Sequence, residues 1–258
     1  MTKMKKLLSL AFCAAATAAF AADEITLADE VGVTMVTLPA GQTNTIIAAS
    51  FTDFDTGDVS ISKLVKTTSL AAGDEILLYT AKDTYSAWKL DANKVWQKAV
   101  KTYTVDGNGV ATESEGDDPA TTTATVGTGL WIVRKNPTTE VSIAIYGKYT
   151  AGRTSSLTAD AWNLVGNAGL ASYTFTTGTA GDELIKVLAN GARRRYMYDA
   201  TEGWTYFVYT TKNETIQGEE KVVLQGSQEK ENPTLVPGEG FWYYTTNADL
   251  TVSWSDVE

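Results

Sequence analysis

"GTGLWIVRKN" (Gly127–Asn136) and "GEGFWYYTTN" (Gly238–Asn247) are one phrase written twice. Each runs Gly-x-Gly, a large apolar residue, then Trp, and closes on Asn, at an offset of 238 − 127 = 111. Self-similarity at a fixed spacing is the mark of a repeated structural unit, and the phrase has companions along the rest of the chain. "AGDEILLY" from Ala72 matches "AGDELIKV" from Ala180, the glycines being 181 − 73 = 108 apart. Trp96 in "KVWQKAV" matches Trp204 in "EGWTYFV" at 204 − 96 = 108, and Trp88 then falls opposite Tyr196. "VSIAIYG" from Val141 matches "LTVSWSD" from Leu250 at 250 − 141 = 109. These landmarks keep one order in both halves.

The spacing predicts two tandem, diverged modules, residues 22–149 and 150–258. At the front, "MVTLPAG" from Met35 matches "NLVGNAG" from Asn163 at 163 − 35 = 128, which predicts 128 − 108 = 20 extra residues in the first copy, near 43–65. Ser60 to Val65, inside that insert, reads as a short helix capped by Ser60 or Ser62.

Thr, Val, Ile and aromatics between turn residues predict strands. Val141, Ile143 and Ile145 alternate with Ser142, Ala144 and Tyr146, as Leu250, Val252 and Trp254 do with Thr251, Ser253 and Ser255. Period two of this kind is a half-buried antiparallel strand. The fold class is all-β: two tandem sandwich or barrel-like modules. In "GLWIVR" both faces are apolar, which predicts an inner strand covered on both sides, with Trp131 and Trp242 buried. The polar stretches between each second Trp and the Gly-x-Gly phrase read as exposed, mobile loops, with "KVVLQ" (Lys221–Gln225) as an added strand.

The first residues read as a secretory signal. Lys3, Lys5 and Lys6 precede a short apolar run, and Ala19-Phe20-Ala21 offers small residues for cleavage, giving a signal peptide over 1–21. Cys13 lies within it, and the whole chain has no histidine, so the mature chain has neither residue type. Its charge follows by subtraction: 21 − 3 = 18 basic against 31 acidic residues, or −13. Such a chain is held by its core rather than by disulfides, and its charge repels nucleic acid and anionic membrane surfaces. The expectation is a protein that is secreted, at the cell surface or periplasmic. It has no transmembrane segment in the mature form and no nucleic-acid partner.

Lacking His and Cys, the mature chain cannot build a Ser-His-Asp triad, a Cys nucleophile or the usual zinc sites. No phosphate-cradling Gly loop opens a helix. Paired carboxylates, as in glycosidases, are the remaining catalytic chemistry. The recurring acids Asp74 and Asp182 are better explained as turn residues that bond back to nearby amides. The chain is therefore read as non-enzymatic. No cofactor is expected except calcium, for which "DFDTGD" offers Asp53, Asp55 and Asp58 as alternating oxygen ligands.

Seven Trp and twelve Tyr supply flat surfaces for sugar stacking or protein anchoring. Residues shared by both copies are expected to be scaffold. Aromatics peculiar to one copy, namely Trp162, Tyr243 and Tyr244, are the binding candidates. Arg193, Arg194 and Arg195 form a basic triplet suited to an anionic glycan or a neighbour's acidic loop, or to a solvated edge strand.

The ordered set "AGDE…LLY", "W…W" and "GTGLW" or "GEGFW" resembles the β-rich repeat modules of uncharacterised secreted bacterial proteins. The resemblance spans both modules and implies repetition and export, with no activity and no catalytic residues. The leading expectation is a structural or adhesive role at the envelope or outside the cell. A carbohydrate-binding role through exposed aromatics comes next, then a carboxylate-dependent glycosidase. The partners expected are polysaccharide, other envelope or extracellular proteins, or further copies of the chain.

Overall fold

The computed structural model describes residues 31–256 apart from 82–83, 106–110, 117–123, 217–218 and 248–249. The expected signal segment, 1–21, lies outside the described residues. The regular structure of the described chain is almost entirely strand, as expected.

The first half contains β1 (Val31–Leu38), β2 (Asn44–Ala48), α1 (Ile61–Leu64), β3 (Glu75–Ala81), β4 (Thr84–Leu90), β5 (Trp96–Val105), β6 (Ala111–Gly116), β7 (Gly129–Val133) and β8 (Val141–Lys148). The second contains β9 (Thr154–Ser156), β10 (Ala161–Gly166), β11 (Tyr173–Thr174), β12 (Glu183–Val187), β13 (Arg193–Asp199), β14 (Gly203–Ile216), β15 (Glu219–Lys230), β16 (Thr234–Leu235), β17 (Gly240–Thr245) and β18 (Thr251–Ser253).

Two six-stranded antiparallel sheets dominate. Their orders are β2-β7-β3-β4-β5-β6 and β10-β17-β12-β13-β14-β15. Position by position the two orders correspond. Both sheets are open, so neither half is a closed barrel. A two-stranded ribbon, β1–β8 in the first half and β9–β18 in the second, completes each half. The second half also carries the small pair β11–β16.

Each half has its own core. In the first, Leu38 of β1 and Ile143 and Ile145 of β8 pack with Ile47, Ile76, Trp88, Trp96, Leu130 and Ile132 of the sheet. In the second, Val252 of β18 and Trp254 pack with Val165, Leu184, Tyr196, Trp204, Phe241 and Tyr243. The alternation expected of the last strands is seen: Ile143, Ile145, Val252 and Trp254 point inward. Trp96 and Trp204 are both core, and so are Trp88 and Tyr196.

The turn reading of the two "GDE" acids also stands. Gly73 and Gly181 take φ of +90° and +93°, where glycine is favoured. Asp74 then accepts the Ala71 N–H (2.8 Å), and Asp182 the Thr179 N–H (2.8 Å). The predicted helix forms as α1, with Ser60 at its N-cap position.

Three expectations change. β10 contains the start of "NLVGNAG", but the strand in its place in the first sheet is β2, not β1, which holds the start of "MVTLPAG". Residues 44–48 are thus sheet rather than insert. Ile46 pairs with Trp131 as Leu164 does with Trp242, an offset of 164 − 46 = 118, so the extra length is 118 − 108 = 10 residues rather than 20 and lies after β2, where α1 and a 3₁₀ turn (Thr67–Ser69) stand. Secondly, the polar stretches are not loops in their described parts. They form the long strands β5, β6, β14 and β15 at one edge of each sheet. Pairing along a hairpin satisfies the backbone there, and a charged edge discourages aggregation. Thirdly, Arg193–Arg195 lie on β13, which stands between β12 and β14 in the sheet order; the three arginines pair with Val187, Lys186 and Ile185 of β12, and the pairing of β13 with β14 begins at Tyr196.

Candidate functional site

The repeated phrase is where the two halves meet. Its first glycine turns the chain: Gly127 and Gly238 have φ of +87° and +80°. Its second glycine admits the other half. A Cβ on Gly129 would lie 2.8 Å from the Leu164 side chain and 2.8 Å from the Val165 carbonyl. A Cβ on Gly240 would lie 2.4 Å from the Ile46 side chain and 2.8 Å from the Ile47 carbonyl. The arrangement is reciprocal, each half offering a glycine socket to an aliphatic residue of the other.

Backbone bonds repeat the reciprocity. The Ala48 N–H donates to the Gly238 carbonyl (2.8 Å), and the Gly166 N–H to the Gly127 carbonyl (2.9 Å). Only one of the two junctions has a side-chain relay. There the Trp254 indole N–H donates to Ser155 Oγ (2.9 Å), whose hydroxyl donates to the Gly127 carbonyl (2.9 Å).

This contact explains the residues beside the glycines. Strand alternation sends Leu130 and Ile132, and Phe241 and Tyr243, into the cores. Trp131 and Trp242 therefore point to the opposite face, toward the other half. They are half-buried rather than buried, which corrects the expectation that they are core.

Between the halves lies a groove of about 280 Å³, near the lower end of small-ligand pockets, roughly 300 Å³. Tyr79, Tyr85 and Trp131 come to it from the first half, and Trp162, Trp242 and Arg193 from the second. Ile185 and Val187 complete its wall. A second groove of about 310 Å³ shares Tyr79 and Trp162 and is otherwise lined by small, aliphatic and hydroxyl residues and Asn163. Among the described residues neither is lined by Asp or Glu.

The rings brace one another edge to face. Tyr79 meets Trp242 at 5.1 Å across the halves and Tyr85 at 5.5 Å within its own sheet. Trp162 leans on Tyr244 at 5.6 Å. Such contacts fix ring orientation. The Arg193 guanidinium stands 5.8 Å from the Trp131 ring centroid, a cation–π contact across the halves. The Trp131 indole N–H is buried and finds no acceptor among the described residues.

Of the residues expected to bind, Trp162 and Arg193 line the groove and Tyr244 supports it. Tyr243 does not belong with them. It is 1% exposed, lies in the second core and donates its hydroxyl proton to Asp182 (2.9 Å). Burial first, then Asp182 beside it, pushes its phenol pKa up. Arg194 and Arg195 are occupied elsewhere. Arg195 forks onto Glu183 (2.6 and 2.8 Å), and Arg194 bonds Glu231 (3.0 and 3.2 Å) over the Tyr206 ring. Sequence reasoning missed Trp131 and Trp242, set aside as scaffold, and Tyr79 and Tyr85. The signal available was that both faces of β7 and β17 are apolar.

The loop expected to hold calcium is closed internally. Asp53 accepts the N–H groups of Asp55 (2.9 Å) and Thr56 (3.3 Å). Lys63 Nζ stands 3.0 Å from both the Asp53 and the Asp55 carboxylate. Burial opposes ionisation of Asp53, yet Lys63 and the two amides hold its carboxyl below its usual value. Asp58 joins through its backbone, its carbonyl accepting the Asp53 N–H (2.7 Å). An ammonium thus stands where a calcium ion would bridge Asp53 and Asp55. Among the described residues no three or more metal-ligating acids, histidines or cysteines gather.

Neither a family model, a curated protein nor a solved structure matches the chain. The site is therefore read from its own chemistry. Among the described residues no helix is long and apolar enough to cross a membrane.

Proposed function

We propose that this chain is an exported, non-enzymatic protein that binds carbohydrate in the aromatic groove between its two halves. One observation carries the reading: Tyr79, Tyr85, Trp131, Trp162 and Trp242, drawn from both halves, surround a single open groove. Flat rings held at fixed angles suit the apolar faces of pyranose rings. Among the described residues neither groove lining offers a carboxylate, which supports binding over glycoside hydrolysis, a reaction that needs two of them across the bond. Export rests on the N-terminal basic and apolar segment. The halves are read as diverged copies of one module, with matching strand order and reciprocal glycine sockets in support.

The test is an oligosaccharide array probed with the chain lacking residues 1–21 and with its Trp242→Ala variant. The expected result is selective binding lost in the variant. Absence of binding to any glycan, or binding indifferent to Trp242→Ala, overturns the proposal.

A structural or adhesive role is the second reading. Phe207 and Tyr209 are 48% and 66% exposed and stack at 6.4 Å on the long β14–β15 hairpin. Exposed stacked rings of this kind suit contact with another protein surface.

A further inference from the structure

We infer that the sugar held in the groove is acidic, a glycan whose uronate carboxylate is gripped by Arg193. The inference rests on the carbohydrate reading above and adds its chemical class.

The three consecutive arginines of β13 have unequal fates. Arg195 is satisfied by Glu183, and Arg194 by Glu231 and the Tyr206 ring. Arg193 has no carboxylate partner among the described residues, although the chain carries 31 acids against 21 bases. It is exposed, and its contact is the Trp131 ring that walls the groove. Among the described residues the lining holds this one cation and no anion. In so acidic a protein, a groove with the opposite local charge selects an anion against the overall field.

The geometry suits a ring that carries its charge at the edge. A pyranose stacked on the Trp131 or Trp242 face projects its substituents sideways. A guanidinium close to the same indole can then fork onto an exocyclic carboxylate with two parallel hydrogen bonds. Stacking on the indole also keeps the guanidinium oriented, so less rotamer freedom is lost on binding.

The corresponding place in the first sheet holds Tyr85, 193 − 85 = 108 residues earlier. The two equivalent positions of the lining thus carry a ring in one half and a cation in the other. That asymmetry would set the direction in which an acidic chain lies.

The experiment uses oligomers of galacturonate, glucuronate and mannuronate, each also as its neutral methyl ester, on native protein and on Arg193→Met. The expected result is that one acid binds at least about tenfold more tightly than its ester, as a charge-assisted bidentate pair allows. Arg193→Met should abolish the preference, bringing acid and ester affinities to within about twofold of each other. Equal binding of acid and ester by the native protein overturns the inference, as does a preference that survives Arg193→Met. Binding of neutral glycans alone removes the inference and leaves the carbohydrate reading standing. Failure of every glycan, acidic or neutral, removes both.

Discussion

The two six-stranded sheets share one strand order and fill it differently. The first core is largely aliphatic, with Leu38, Ile47, Ile76, Leu130, Ile132 and Ile143 fully enclosed. The second is largely aromatic, with Tyr196, Trp204, Phe241 and Tyr243 in that role. Yet the glycine sockets at Gly129 and Gly240 correspond, and so do the inter-half bonds from Ala48 and Gly166. Where a half packs on itself, volume can be redistributed among side chains, because cores tolerate exchange that keeps total volume and pattern. Where backbone meets backbone, no side chain can compensate. The groove lies between these regimes, and there Tyr79 and Tyr85 face Val187 and Arg193.

The largest effect should come from the aromatic core. Trp204 is 1% exposed and meets Phe175, Tyr198 and Tyr243 edge to face. Trp204→Ala should cost about 3–5 kcal/mol in urea unfolding. Trp96→Ala, its counterpart at 8% exposure, should fall at the low end of that range. A neutral Trp96→Ala would break the correspondence between the cores.

The sockets should respond equally. Gly129→Val and Gly240→Val each force a side chain into the other half, at about 1–3 kcal/mol apiece. Calorimetry on both variants checks this. One tolerated and one disruptive substitution would show that the halves do not meet reciprocally.

Alkali should separate the halves. Burial, supported by Glu231 and opposed by Arg194, raises the Tyr196 phenol to about 12, and burial raises that of Tyr243 as well. Both groups are protonated in the fold, so their contribution is complete below the unfolded value near 10 and is lost as pH rises through the folded value. Their counterparts in the first half, Trp88 and Ile132, do not titrate. Unfolding followed by tyrosinate absorbance should show the second half loosening between about pH 10 and 12. Simultaneous loss of both halves would contradict a core-specific cause.

Much of this was legible in the sequence. The ordered landmarks forecast the strand class, the core positions of Trp96 and Trp204, the inward residues of β8 and β18, and the turn acids. Less legible was which face of β7 and β17 is core, because Leu130 and Ile132 are matched by Trp131 and Val133. Burial on the second face is decided by the other half, at long range. The front alignment failed for a related reason: "MVTLPAG" shares glycine spacing with "NLVGNAG" but sits on a strand paired to β8. Tyr243 misled because it lacks a polar aromatic counterpart. Its difference from Ile132 is a core exchange whose hydroxyl is satisfied by Asp182.

The central claim is that one strand divides its labour between neighbours, Ile132 holding the fold and Trp131 the ligand. The direct measurement compares Trp131→Ala with Ile132→Ala for urea stability and glycan affinity together. Ile132→Ala should lose about 2–5 kcal/mol and keep native-like affinity while folded. Trp131→Ala should lose less than about 2 kcal/mol, since its ring is only half-buried, and should abolish binding. A Trp131→Ala variant as unstable as Ile132→Ala that still binds glycan would contradict the account.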